Sequence, residues 1–351
     1  MIYLCFLFSG ATGLIFENLW VRMLTLVFGS TSLAVSSVLT AYMGGLALGS
    51  WLFGRWADRI KNALRAYALI ELCVGVLALL IPLVVQGLYP HINSWLWSSF
   101  EPGFFAFSFL RFLFSVILLI VPTTLMGGTL PILSKVLIRT EQEMGTVGSR
   151  IGWLYTANTT GAVLGTFLCG FVLLPSIGLR LTNISASAVN VLVLGLGLLL
   201  VCGFIHRWFE SARNLAREMA EAARSALDAP EEPPAPALVL TPLQRIFVLV
   251  AFGLSGLSAM NYQVIWSRVL SMVIGSSVYA FALILMAFLV GIALGSSIMS
   301  TILRKRRTRN LIVWLAFVQL GIATMAVADY FFVDQYPYWF ARLVTGVEDF
   351  H

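Results

Sequence analysis

Apolar residues run along this chain in stretches of about 20, broken by short polar segments, which is the spacing of helices that cross a bilayer. The runs predict nine spans, at about residues 2–27, 31–53, 66–88, 104–126, 152–175, 182–204, 244–273, 277–302 and 311–333. The polar segments alternate in character. Those after even-numbered spans carry Lys and Arg, as in GRWADRIKNALR from Gly54 and the cluster Arg304, Lys305, Arg306, Arg307 and Arg309. By contrast, YPHINSWLWSSFEPGF from Tyr89 holds no Lys or Arg and reads as a loop anchored by Trp95 and Trp97. The even-to-odd segments hold 17 of the 22 basic residues, so positive-inside bias predicts a cytoplasmic N-terminus, with 206–241 inside and 89–103 outside.

The same pattern is written twice. SGATGLIFENLWVRMLTLVFGSTSLAVSSVLTAYMGGLALGS, residues 9–50, returns at 255–296 with 16 of 42 positions identical at a constant offset of 246 and no gap. Trp20 answers Trp266, Arg22 answers Arg268, and Gly29-Ser30 answers Gly275-Ser276. A duplicated helical pair read in one sense predicts parallel repeats. The chain therefore divides into a first six-helix repeat (1–205), a charged and proline-rich linker (206–241) and the first three helices of a second repeat (242–351), which reads as interrupted.

Composition names the solvent. With 59% hydrophobic and 11% charged residues and a mean hydropathy of +0.92, the chain lies well above a soluble domain, which is about half apolar. The expected fold class is an all-α polytopic membrane protein whose main partner is the lipid bilayer. A net charge of +6 invites a nucleic-acid reading, but no basic stripe with interleaved aromatics supports it. Cys5, Cys73, Cys169 and Cys202 lie singly in apolar stretches and read as unpaired, and His91, His206 and His351 are too dispersed for a metal site. No cofactor is expected.

Several motifs carry a resemblance. Gly54-Arg55-Trp56-Ala57-Asp58-Arg59 resembles the G-x-x-x-D-R loop between spans two and three of the major facilitator superfamily, although Ile60, Lys61 and Asn62 replace its usual continuation. SGATGLIFENLWVRMLTLVFGST, PTTLMGGTLPILSK and GWLYTANTTGAVLGT extend the likeness to the membrane half of fused major facilitator/spermidine synthase proteins, over essentially the whole chain. The resemblance implies a transporter-like bundle in the bacterial inner (plasma) membrane, a small cationic substrate such as a polyamine, and a cytoplasmic latch formed by Gly54, Asp58 and Arg59. It equally implies, as the rival reading, a membrane anchor or channel for a downstream soluble aminopropyltransferase domain. No soluble stretch here is long enough to hold that domain, so catalysis is not expected of this chain alone.

Ionisable groups inside spans cost about 2.5 to 3.5 kcal/mol each and are functional candidates for that reason. Glu17 and Glu71 are the two clear cases. The offset pairs Glu17 with Gln263, and aligning ELCVGVLAL with QLGIATMAV pairs Glu71 with Gln319. Gln keeps the size and the oxygen but carries neither charge nor proton. The expected site places Glu17 and Glu71 in a cavity between the halves to bind a cation or carry a proton, with Gln263, Gln319 and Asn158 as neutral contacts. Thr159 and Thr160 are read beside Asn158. Arg22 and Arg268, with Trp20 and Trp266, are read as structural, the arginines as caps or anchors at one end of their helices.

Overall fold

The computed structural model describes residues 2–29, 31–100, 103–137, 144–225, 242–275, 277–305 and 311–348. Among these residues there is no strand. The chain is an all-α polytopic membrane protein, and eight of its helical segments are long and apolar enough to cross a membrane. The proline-rich tether within 226–241 lies outside the described residues.

The first repeat begins with α1 (Ile2–Phe28) and α2 (Thr31–Trp56). Gly29 ends α1 at φ +67°, a left-handed conformation that favours glycine, and its amide donates to the Thr25 carbonyl at 3.0 Å. The turn recurs at the same offset. Gly275 has φ +75° and donates to Ser271 at 3.1 Å, joining α8 (Pro242–Ile274) to α9 (Ser277–Lys305). The duplicated sequence thus produces the same cap and the same helical hairpin twice.

Between the hairpins lie α3 (Ala63–Leu83), α4 (Tyr89–Phe100), α5 (Phe104–Leu137), α6 (Met144–Phe167) and α7 (Leu174–Ser225). The Asn62 side chain starts α3 by accepting from the Arg65 amide, an N-cap bond. Pro82 removes a backbone donor near its end, and a π-helical turn over Val84–Leu88 follows. A second π-turn (Leu168–Leu173) joins α6 to α7, and Gly178 at φ +72° breaks α7 near its start. Counting that break, the 49-residue apolar stretch Gly152–Leu200 holds two spans, in line with the expected nine. Finally come α10 (Leu311–Tyr330) and α11 (Tyr336–Glu348).

Two segments read as loops are helical. YPHINSWLWSSF forms α4, and the stretch after residue 126 continues α5 to Leu137. Near a bilayer the backbone must meet its own hydrogen bonds, so helix persists through Asn, Ser and Pro positions that break it in water.

Packing centres on α1. It lies against α6, α7 and α2, while α5 covers α2 and α3, and α7 covers α3. Glycines set two of these crossings, as small residues do between membrane helices. A Cβ on Gly45 or Gly49 would collide with Thr123 or Thr124 of α5, and one on Gly161 or Gly165 with the Leu7 or Ala11 carbonyl of α1. Gly54 meets open space. The second hairpin joins the first through α2–α8 and α1–α9 contacts, and it also packs on α6 and on the π-turn that follows it, where Gly170 lies against Ala282.

Candidate functional site

Where α1, α2, α5 and α6 meet α8 and α9, they line a partly open cavity of about 420 Å³, within the range of small-molecule sites, about 300–1,000 Å³. Its wall is largely apolar, with Met43, Met126, Met260 and Phe288, and takes polar groups from Ser9, Tyr42, Thr129, Tyr155, Asn158 and Thr159. Glu17 is the sole ionisable carboxylate in that lining, and no Lys, Arg or His joins it.

Helical spacing puts Gly10, Gly13 and Glu17 on one side of α1. Gly10 lies so close to Asn158 that a Cβ would overlap its backbone carbonyl, and a Cβ on Gly13 would stand 3.2 Å from the Tyr42 hydroxyl. Phe16 and Trp20 stack at 5.9 Å, and Tyr42 lies 6.3 Å from Trp20. Glu17 is fully buried, and neither carboxylate oxygen has a hydrogen-bond partner. A bare carboxylate in such a place is strongly disfavoured, so the group holds a proton or faces a cation.

The expected constellation comes together in part. Glu17, Asn158 and Thr159 share the cavity, whereas Thr160 is exposed and absent from its lining. Glu71 does not line it. The residue is buried between α3, α7 and α1, where the Ser9 hydroxyl and the Tyr67 phenol approach its carboxylate. Nor do the glutamines supply cavity contacts. Gln263 is buried with both side-chain polar atoms unpartnered, and Gln319 donates to the Ser255 hydroxyl at 2.7 Å in a separate cleft of about 640 Å³ beside α8 and α10. Glu71 and Gln319 stand on α3 and α10, neither of which contributes a residue to the cavity lining, whereas Gln263 stands on α8 beyond the stretch Gly256–Met260 that does.

The arginines read as caps or anchors stand as follows. Arg22 lines an open cleft with Pro175, Gly178 and Tyr279, and Arg268 is exposed. Arg111, a residue that sequence reasoning passed over, caps α1. Its Nη1 donates to the Phe28 carbonyl at 2.8 Å, and its guanidinium lies 4.0 Å from the Phe107 ring centroid. Lys135 lies in the last turn of α5. Its Nζ donates to the Ala57 and Ile60 carbonyls at 2.7 and 3.0 Å, pinning the turn Ala57–Arg59 against α5. In the expected latch, Gly54 and Arg59 are exposed, and the Asp58 side chain lies outside the described residues. Trp20 is buried, and Trp266 packs against Tyr336 at 5.9 Å. Cys5, Cys73 and Cys169 are free, as expected.

The class these observations define is a polytopic helical membrane protein with a partly open cavity, lined by a single carboxylate, where the two helical hairpins meet. No family model, curated protein or solved structure matches the chain.

Proposed function

We propose that the chain is a transporter-like membrane module that carries a small organic cation, with Glu17 as its charge partner. The observation that carries this reading is the unpartnered Glu17 carboxylate in the wall of the cavity between the halves. One carboxylate among methionines and aromatic rings suits an ammonium group on an apolar body. The negative charge is met once, and the rings add favourable cation–π contacts. The asymmetry with Gln263 supports the same reading, since only one copy bears the cost of an acid. In keeping with the resemblance to the membrane half of fused major facilitator/spermidine synthase proteins, the proposed substrate class is amines up to polyamines. Access alternates by rocking one hairpin-bearing half against the other.

Spermidine binding to the purified chain, measured by calorimetry against Glu17→Gln, tests the proposal. The expected result is at least a tenfold loss of affinity in Glu17→Gln, with proton release on binding seen in the parent only. Equal affinity in both proteins refutes it.

A further inference from the structure

Glu71 presents a second buried acid that the cavity does not use. The carboxylate makes no ion pair among the described residues, its Oε1 has no hydrogen-bond partner, and only 2% of the residue is exposed. The titratable groups that face it are Tyr67 on its own helix and Cys5 on α1. From α7 the seam receives Ser187 and Asn190, neither titratable, and both keep unpartnered side-chain atoms. The two cations of α5 stand elsewhere, Arg111 on Phe28 and Lys135 on Ala57 and Ile60.

The repeat shows what the acid is not for. Ser9 lies beside Glu71, and Ser255, its counterpart at offset 246, holds Gln319, the amide aligned with Glu71. Both copies thus keep the same serine contact between the first and third helix of the repeat. A neutral amide suffices for that contact in the second copy, so the ionisable group in the first is surplus to helix packing. Ser9 also lines the central cavity. It is therefore the one hydroxyl among the described residues that stands at once in the cavity wall and beside Glu71.

We propose that Glu71 is a proton-exchange site, separate from Glu17, that communicates with the cavity through the Ser9 hydroxyl. In the exchange the Glu71 O–H bond breaks and its proton passes to Ser9 Oγ, while Ser9 gives its own proton to water in the cavity. The serine is restored, and the carboxylate carries the charge. The reverse sequence reloads the site. This inference stands whether or not Glu17 binds an amine.

Infrared difference spectroscopy of the purified full chain, titrated over roughly pH 4 to 9 without amine, tests it. The expected signal is a protonated-carboxylic-acid carbonyl band that disappears on titration, is missing in Glu71→Gln and persists in Glu17→Gln. Gln319 already occupies the equivalent place beside a serine, so Glu71→Gln is expected to fold; Glu71→Asp provides a second check by retaining a shifted band. Ser9→Ala is expected to slow proton release from that band at least tenfold in a pH-jump measurement. A band lost only in Glu17→Gln, or no titrating band, overturns the assignment to Glu71. An unchanged release rate in Ser9→Ala overturns the path.

Discussion

Gly45 and Gly291 occupy the same place in the two copies, and substituting each by Ala separates packing from helix propensity within one chain. On Gly45 the new Cβ would stand 2.6 Å from the Thr123 Cβ and closer still to its hydroxyl. Thr123 cannot swing aside. It is fully buried and β-branched, and its hydroxyl donates to the Leu119 carbonyl at 2.6 Å. α2 and α5 must therefore move apart, at an overpacking cost of about 1–3 kcal/mol. On Gly291 the Cβ meets nothing within 4 Å. Both variants gain the same helix propensity, about 1 kcal/mol, so the difference between them is the packing cost alone. At about 2 °C per kcal/mol for a chain of this size, Gly45→Ala is expected to melt about 2–6 °C below Gly291→Ala. A thiol-reactive dye reads the transition, because Cys5 and Cys169 are buried and free; replacing the exposed Cys73 with Ser lowers the background. Equal midpoints for the two variants would refute the close α2–α5 crossing.

Two further outcomes follow from contacts absent from the sequence reading. Arg111→Ala loses a charged hydrogen bond to the Phe28 carbonyl and the stacking on Phe107, at a cost of about 2–4 kcal/mol. Thermal melting is expected to show the loss, with Arg111→Lys recovering part of it. Lys135→Met removes both bonds to the Ala57 and Ile60 carbonyls, at roughly 2 kcal/mol. Hydrogen exchange at the Ile60 amide, which donates to Ala57 at 3.1 Å, is expected to rise at least tenfold; unchanged protection there would show that the turn stands without Lys135.

Span positions and the hairpin repeat were legible because both rest on long-range regularities: 20-residue apolar runs and a gapless 246-residue offset. The Gly29 and Gly275 turns were legible too, since only glycine enters that conformation freely. Rotation about each helix axis was not. All nine predicted spans are apolar almost all round, so no hydrophobic face says which way Glu71 or Gln319 points. Arg111 was missed for a related reason. Its partner is a backbone carbonyl 83 residues away in sequence, and carbonyls leave no mark in a residue pattern. α4 was missed because turn formers that break a helix in water do not break it at an interface where the backbone closes its own hydrogen bonds.

The unequal chemistry of the two copies follows from the same geometry. Position 17 and its counterpart 263 are both buried with unpartnered polar atoms, so neither is explained by local hydrogen bonding. Glu17, however, stands in the cavity wall, while Gln263 does not line that cavity. An acid is useful only where an exchangeable partner can reach it, and costly anywhere else. Duplication delivered the same position twice. The fold gave cavity access to one of them, and the carboxylate stands there, with the amide at the other. Exchanging the two residues, Glu17→Gln with Gln263→Glu, is therefore expected to keep the chain's net charge yet abolish spermidine binding in the calorimetric assay. Retained affinity in the exchanged protein would show that the cavity does not distinguish the copies.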